Sequence, residues 1–240
     1  MLAAPLIAHL EPCELPDGGE LDELALSEAL VERHGRDALT ARRIHVRESE
    51  LRGLTLGEGV ATELLLSDAR LNGCDLSNIR ARRGAIRRVE LNDCRLVGFS
   101  LSEGRVDDLR VVGGTMMLCS FAHSTLRRVE FENVNLREAS FLETQLTSVS
   151  FTGCDLAGAD FRGARLKECA IRGSSLDGVV GVESCGGSRC PGGISWGRWG
   201  RLPRRWGLGL RGSDEGTFLA RRVELASATK TLCSYHENVV

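Results

Sequence analysis

Large rings are scarce in this 240-residue chain: aromatic residues make up 5% of it, while hydrophobic residues as a whole make up 42%. A core built from this composition rests on Leu, Val, Ala and Cys. Charge of one sign is lacking too. The formal net charge is −2, which excludes a strong whole-chain attraction to nucleic acid or to an anionic membrane. No stretch approaches the roughly 18 uninterrupted apolar residues of a membrane-spanning helix. The N-terminus begins apolar but has no basic stretch, and Glu11, Glu14 and Asp17 follow at once. No signal peptide is expected, and a cytoplasmic protein is.

Catalytic chemistry is equally thin. The five histidines are His9, His34, His45, His123 and His236, and none has metal-ligand spacing to Cys or carboxylates. Cys185 and Cys190 alone are too weak a pair for a zinc site. Gly207 and Gly209 lack the strand before and the helix after that a phosphate-cradling loop needs. No catalytic residue, metal ligand or cofactor-binding residue is assigned, and no enzyme is expected. Nine cysteines would suit a disulfide framework only in a short secreted chain. Their spacing here follows a different rule.

That rule is a period of five. From Val46, steps of five residues meet Leu51, Leu56, Ala61, Leu66 and so on to Ile171 and Leu176: 27 consecutive apolar residues with no insertion. We call this position i. Position i−2 is small or β-branched in most repeats, as at Ala69, Cys74, Cys94, Cys119, Val129, Cys154 and Cys169. The other three positions are mostly polar. On an α-helix five residues advance about 140° beyond a full turn, so such a stripe would wind around the axis. On a strand an odd step changes face. Both conflicts vanish if i−2 and i point inward on a short extended segment and the chain then turns a corner. Repeated turns of one hand stack coil upon coil at about 4.8 Å, each touching only its neighbours.

The strings CDLAG, ADFRG, ARLKE and VNLRE, ending at Gly158, Gly163, Glu168 and Glu138, resemble the A(D/N)LXX pattern of pentapeptide-repeat proteins. The resemblance covers roughly residues 46–180. It implies an all-β fold, a right-handed quadrilateral parallel β-helix with 20 residues per coil and about seven coils. It also implies two functional readings. The first is a non-enzymatic interaction scaffold with an unidentified protein partner. The second is a DNA mimic that binds DNA gyrase or topoisomerase and alters quinolone sensitivity. An acidic rod separates the two. Over residues 41–180, 20 Arg/Lys face 19 Asp/Glu, which argues against DNA mimicry.

Three regions follow. Residues 1–45 are an acidic segment that reads as a degraded first coil or a short capping helix. Residues 46–181 are the repeat domain. Residues 182–240 are an irregular tail. Its part from 185 to 212 holds all three Trp, nine Gly and six Arg, but no Ala, Lys, Asp or Glu. Two readings account for that composition, a one-nucleotide deletion near the Ser184 codon or a genuine Arg/Gly/Trp-rich disordered tail, and an exposed last coil near Leu176 is the expected consequence.

Four further expectations concern the coils. Phe121, Phe131, Phe141, Phe151 and Phe161 recur every ten residues, so they belong on two opposite faces. Cys74 and Cys94 stack one coil apart as free thiols. Ile79, Phe99 and Leu109 are large at i−2, and Gly84, Gly104 and Gly114 small, which predicts local bulging. Arg87, Asp107 and Arg127, and likewise Arg88, Asp108 and Arg128, alternate along columns, which reads as a solvated salt ladder rather than a nucleic-acid patch. The remaining candidate surface is apolar and outward: Val97, Val112, Met117 and Leu118, a protein-contact patch suited to a partner or a homodimer.

Overall fold

Residues 2–15, 19–32 and 39–181 are described by a computed structural model. Residues 19–32 form strands. Gly19–Ser27 and Ala29–Glu32 pair in parallel with Leu39–Arg52, and the register Gly19↔Leu39, Leu26↔Val46 and Val31↔Leu51 is one coil of 20 residues. The solenoid therefore starts well before Val46 and runs for about eight coils. The same offset of 20 continues through Glu63–Asn72, Ala85–Asn92, Arg105–Val112, Thr125–Glu132 and Gln145–Thr152, all parallel. A third face is a column of single bridges from Thr55 through Asp75, Arg95, Thr115, Asn135 and Asp155 to Ser175. On the fourth, Ser100, Ser120, Ser140, Asp160 and Val180 pair in sequence.

The corners explain the period. Position i+2 of nearly every repeat has a positive φ, as at Asp68 (50°), Arg88 (51°), Asp108 (57°) and Arg128 (51°). The left-handed conformation turns the chain through a corner within one residue. It is unfavourable for side chains other than Gly and Asn/Asp, so packing and ladder bonds must hold it. Polar residues at i−1 help. Asp75, Asp155 and Asp160 each accept the N–H two residues on, at Ser77, Ala157 and Arg162 (2.9, 3.0 and 2.9 Å). This Asx turn gives the Asp/Asn of the repeat its physical role.

Inside, the two Phe columns behave as the ten-residue spacing requires. Phe121, Phe141 and Phe161 stack on one face (centroids 5.9 and 4.8 Å apart), and Phe131 and Phe151 stack on the opposite face (5.0 Å). The columns meet edge to face, Phe141 on Phe151 at 5.7 Å and Phe151 on Phe161 at 6.2 Å. Position i is buried from Leu51 to Phe161, whereas Leu166 and Leu176 are only half-buried at the last coil.

The expected bulging at the size mismatches is largely replaced by complementary packing. Phe99 and Leu109 are buried in register, and Leu101 fills the space beside the small residues. A Cβ added at Gly104 would lie 2.5 Å from Leu101 Cγ, and one at Gly84 would lie 2.9 Å from Leu101 Cδ1. Gly114 is the exception. Both Gly113 and Gly114 have positive φ, and a Cβ at Gly114 would meet the Cys94 carbonyl oxygen at 2.1 Å.

The i−2 column has a chemical role that the small-residue reading missed. The side chain at i−2 donates to a carbonyl in the previous coil: Ser124 Oγ to Leu101 O (2.8 Å), Thr144 Oγ1 to Phe121 O (2.8 Å), Cys94 Sγ to Leu71 O (3.4 Å). Thiol and hydroxyl are thus interchangeable donors at a buried corner. Cys74 and Cys94 are free thiols.

Candidate functional site

Two surfaces stand out, and the first was not foreseen. Residues 2–13 run as an extended strap along one corner of the solenoid, against the direction of the coils. Ala3 N–H donates to Asp108 Oδ1 (3.2 Å) and Leu6 N–H to Asp68 Oδ1 (3.0 Å). Farther on, Glu11 N–H donates to Glu28 O (2.8 Å) and Cys13 N–H to Leu30 O (2.9 Å). Glu11–Pro12 pairs in parallel with Ala29–Glu32, so the strap ends by covering an edge of the first coil that would otherwise invite pairing with another chain.

The strap changes the meaning of the arginine columns. Arg88 grips Asp68 with two nitrogens, Nε to Oδ1 at 2.5 Å and Nη2 to Oδ2. Arg128 grips Asp108 in the same way (2.6 and 2.7 Å). Both carboxylates are buried. The carboxylate rungs along this corner are therefore buried and not solvated as the sequence suggests, while the Arg128 side chain stays partly exposed. Each Asp takes a forked guanidinium from the next coil and a main-chain N–H from the strap. The arginine hydrogen bonds are the main reason both carboxyls are held below the usual carboxylate range, and burial opposes them.

A ladder of alternating charge also runs along the neighbouring face. Glu50, Arg70, Glu90, Arg110 and Glu130 alternate one coil apart in strand register, with Arg70 2.9 Å from Glu90 and 3.8 Å from Glu50. Glu50 is buried, whereas Arg70 and Glu90 are partly exposed, and pairs open to water contribute about 0–1 kcal/mol each. Their alternation keeps the surface from presenting one sign of charge. His45 sits between Glu23 (3.4 Å) and Glu63 (2.9 Å). Among the described residues no group of three His, Cys, Asp or Glu is placed to hold a metal ion. No helix among them is long and apolar enough to cross a membrane. Burial pushes the Cys119 thiol up to about 12, the reverse of an activated nucleophile.

The second surface is the apolar group expected from sequence. Val97 and Met117 lie one coil apart, joined where Gly98 N–H donates to Met117 O (2.9 Å), and both are half-buried. Leu118 follows at the corner and is 54% exposed. Val112 is set apart. It ends Arg105–Val112 on the preceding face, paired with Asn92 and Glu132. Val60, Leu65 and Val180 are further exposed apolar residues. All three occupy the outward position i−1 of the five-residue register. The tail from 182 onward, with the proposed change of frame near Ser184, lies outside the described residues.

Stacked parallel coils with a filled interior define a β-solenoid, and its five-residue corner spacing defines the class more narrowly. The family described as "Pentapeptide repeats" matches in eight copies over residues 116–153 and 144–180, so the chain carries the repeats of that family. Solved structures similar to it include HetL, a pentapeptide repeat protein involved in heterocyst differentiation regulation from the cyanobacterium Nostoc sp. (18% identity, 74% of this chain and 91% of that one, TM-score 0.26). Another is QnrB1, a plasmid-mediated fluoroquinolone resistance protein (16% identity, 65% of this chain and 91% of that one, TM-score 0.29). The fold assignment rests on the register of the chain itself. No curated protein matches the chain.

Proposed function

We propose that the chain is a non-enzymatic interaction scaffold, working in the cytoplasm, whose rigid corners present side chains to a protein partner. The contact surface is Val97, Met117 and Leu118, with Val112 at its margin, and a second copy of the chain is the partner it fits most simply. One observation carries this reading. Among the described non-glycine residues with positive φ, Leu118 (56°) is the one apolar side chain, and it is exposed. A bulky apolar group in a strained conformation and without a place in the core costs stability, and a contact made outside the fold gives that cost a purpose. The alternative of a DNA mimic directed at a topoisomerase needs a continuous acidic surface, and the alternating Glu/Arg column from Glu50 to Glu130 works against it.

Light scattering on the full chain across a concentration series tests the proposal. The wild type is expected at twice its 26.1 kDa, and Leu118→Arg and Met117→Arg as monomers. A wild type that stays monomeric at about 100 μM, or an arginine variant that still dimerises, overturns the assignment of this surface.

A further inference from the structure

The corner that holds the strap does not end where the strap does. It continues past Arg128 to Ser148 and Glu168, one residue per coil, all with positive φ. A groove of about 280 Å³ opens there, lined by Leu2, Arg128, Glu130, Ser148, Glu168 and Arg172 among others. The strap shows how this corner receives a chain. Ala3 and Leu6 are three residues apart, and the carboxylates they meet, on Asp108 and Asp68, are two coils apart. Three extended residues span about 10 Å and two coils about 9.6 Å, so an extended backbone runs in step with the coils. The next carboxylate in step would stand at position 148. Ser148 is there instead, but Glu168 reaches back and places Oε2 3.0 Å from Ser148 Oγ, so a carboxylate acceptor is restored at the right level.

We propose that this groove docks an extended peptide segment of a partner protein, which continues the line the chain's own residues 2–6 begin. The lining selects that occupant. Glu168 and Glu130 accept N–H groups, while Arg172, and Arg128 through the nitrogen not forked onto Asp108, donate to C=O groups, and a main chain offers both in alternation. A phosphate-rich ligand would meet the two carboxylates at close range. The arrangement is strand-like recognition through main-chain groups, turned along the axis of the solenoid instead of across its edge. The site lies on a different corner from Leu118, so it stands or falls independently of the proposed dimer.

The probe is a fluorescein-labelled peptide with blocked ends and the sequence of residues 2–9, in which the N–H groups of Ala3 and Leu6 already meet this corner at Asp108 and Asp68. Fluorescence anisotropy with the full-length protein is expected to show saturable binding that falls at least tenfold in Glu168→Arg and in Arg172→Glu. Two variants of opposite charge guard against a folding artefact, and circular dichroism should report the same strand content in both. Absence of saturable binding up to about 1 mM peptide overturns the proposal. So does binding that neither variant weakens. Binding weakened by Asp68→Asn with Asp108→Asn but untouched by Glu168→Arg would mean that the peptide only displaces the strap, and it also overturns the groove assignment.

Discussion

Replacing Phe141 by Ala tests the packing argument where it is strongest. Phe141 is fully buried. It stacks between Phe121 (5.9 Å) and Phe161 (4.8 Å) and meets the edge of Phe151 (5.7 Å). A buried Phe→Ala change costs about 3–5 kcal/mol, and the value rises with the cavity left behind. Here the cavity persists, because coil spacing is fixed by ladder bonds such as Phe141 N–H to Asp160 O (2.7 Å) and Ser140 N–H to Cys119 O (2.8 Å). The walls cannot move inward without breaking them. Three lost ring contacts add to the cost, so we expect a loss near 5 kcal/mol. With a urea dependence on the order of 2 kcal/mol per molar, the unfolding midpoint falls by about 2.5 M. Leu142→Ala is the internal control. That side chain is next in sequence and also large, but half-exposed on the outward face, and its loss should cost under about 1 kcal/mol. Because each coil contacts only its neighbours, hydrogen exchange in the Phe141 variant should quicken first between Cys119 and Phe161. A loss below about 2 kcal/mol, or an equal loss in the Leu142 variant, would refute the reasoning.

Thr144→Val keeps the shape of a fully buried side chain but removes the hydroxyl that donates to Phe121 O. It should destabilise by about 1–2 kcal/mol in urea unfolding, and a variant as stable as wild type would reduce the i−2 hydroxyl to a space filler. Asp68 and Asp108 have carboxyls held low by Arg88 and Arg128, so their contribution to stability is fully present above the unfolded value of about 3.9 and is lost as pH falls through the lower folded values. Thermal melts should therefore show a loss of stability on acidification through that window, shallower in the Asp68→Asn, Asp108→Asn double variant; equal slopes would remove the two clamps from the account.

The five-residue period was legible because a solenoid repeats one local decision. Every Leu or Phe at i faces the same inward geometry, so the register written in the sequence is the register of the ladder, and Phe131 had to stack on Phe151 once the coil length was 20. What was not legible depends on contacts between segments that share no period. The strap is the clearest case. Nothing in Ala3 or Leu6 announces a partner, because the groups they offer are main-chain N–H groups that every residue but proline carries. Asp108 looked like a rung of a surface ladder for the same reason: burial beneath another segment is invisible along a column. Size mismatches were misread differently. Phe99 and Gly104 were judged each against its own repeat, but packing is decided between faces, and Leu101 reconciles them.

The Cys positions show how the local and the non-local readings join. As small residues at i−2 they are interchangeable with Ala or Val, and the sequence uses all three. As donors they are interchangeable with Ser and Thr, and the geometry at Ser124, Thr144 and Cys94 is one arrangement in three chemistries. Ala159 and Val149 fill the same position and donate nothing, so the bond to the previous coil is an addition to the fold and not its condition. The condition is the corner itself. A left-handed residue every five positions is unfavourable taken singly, and it is held because each corner is stacked against the same corner one coil away. At the last described coil, Leu166 and Leu176 are less buried than the same position in the coils before it. The first coil escapes the same fate on the face where Glu11–Pro12 pairs with it, which is why a segment without the repeat belongs to the solenoid as much as the repeats do.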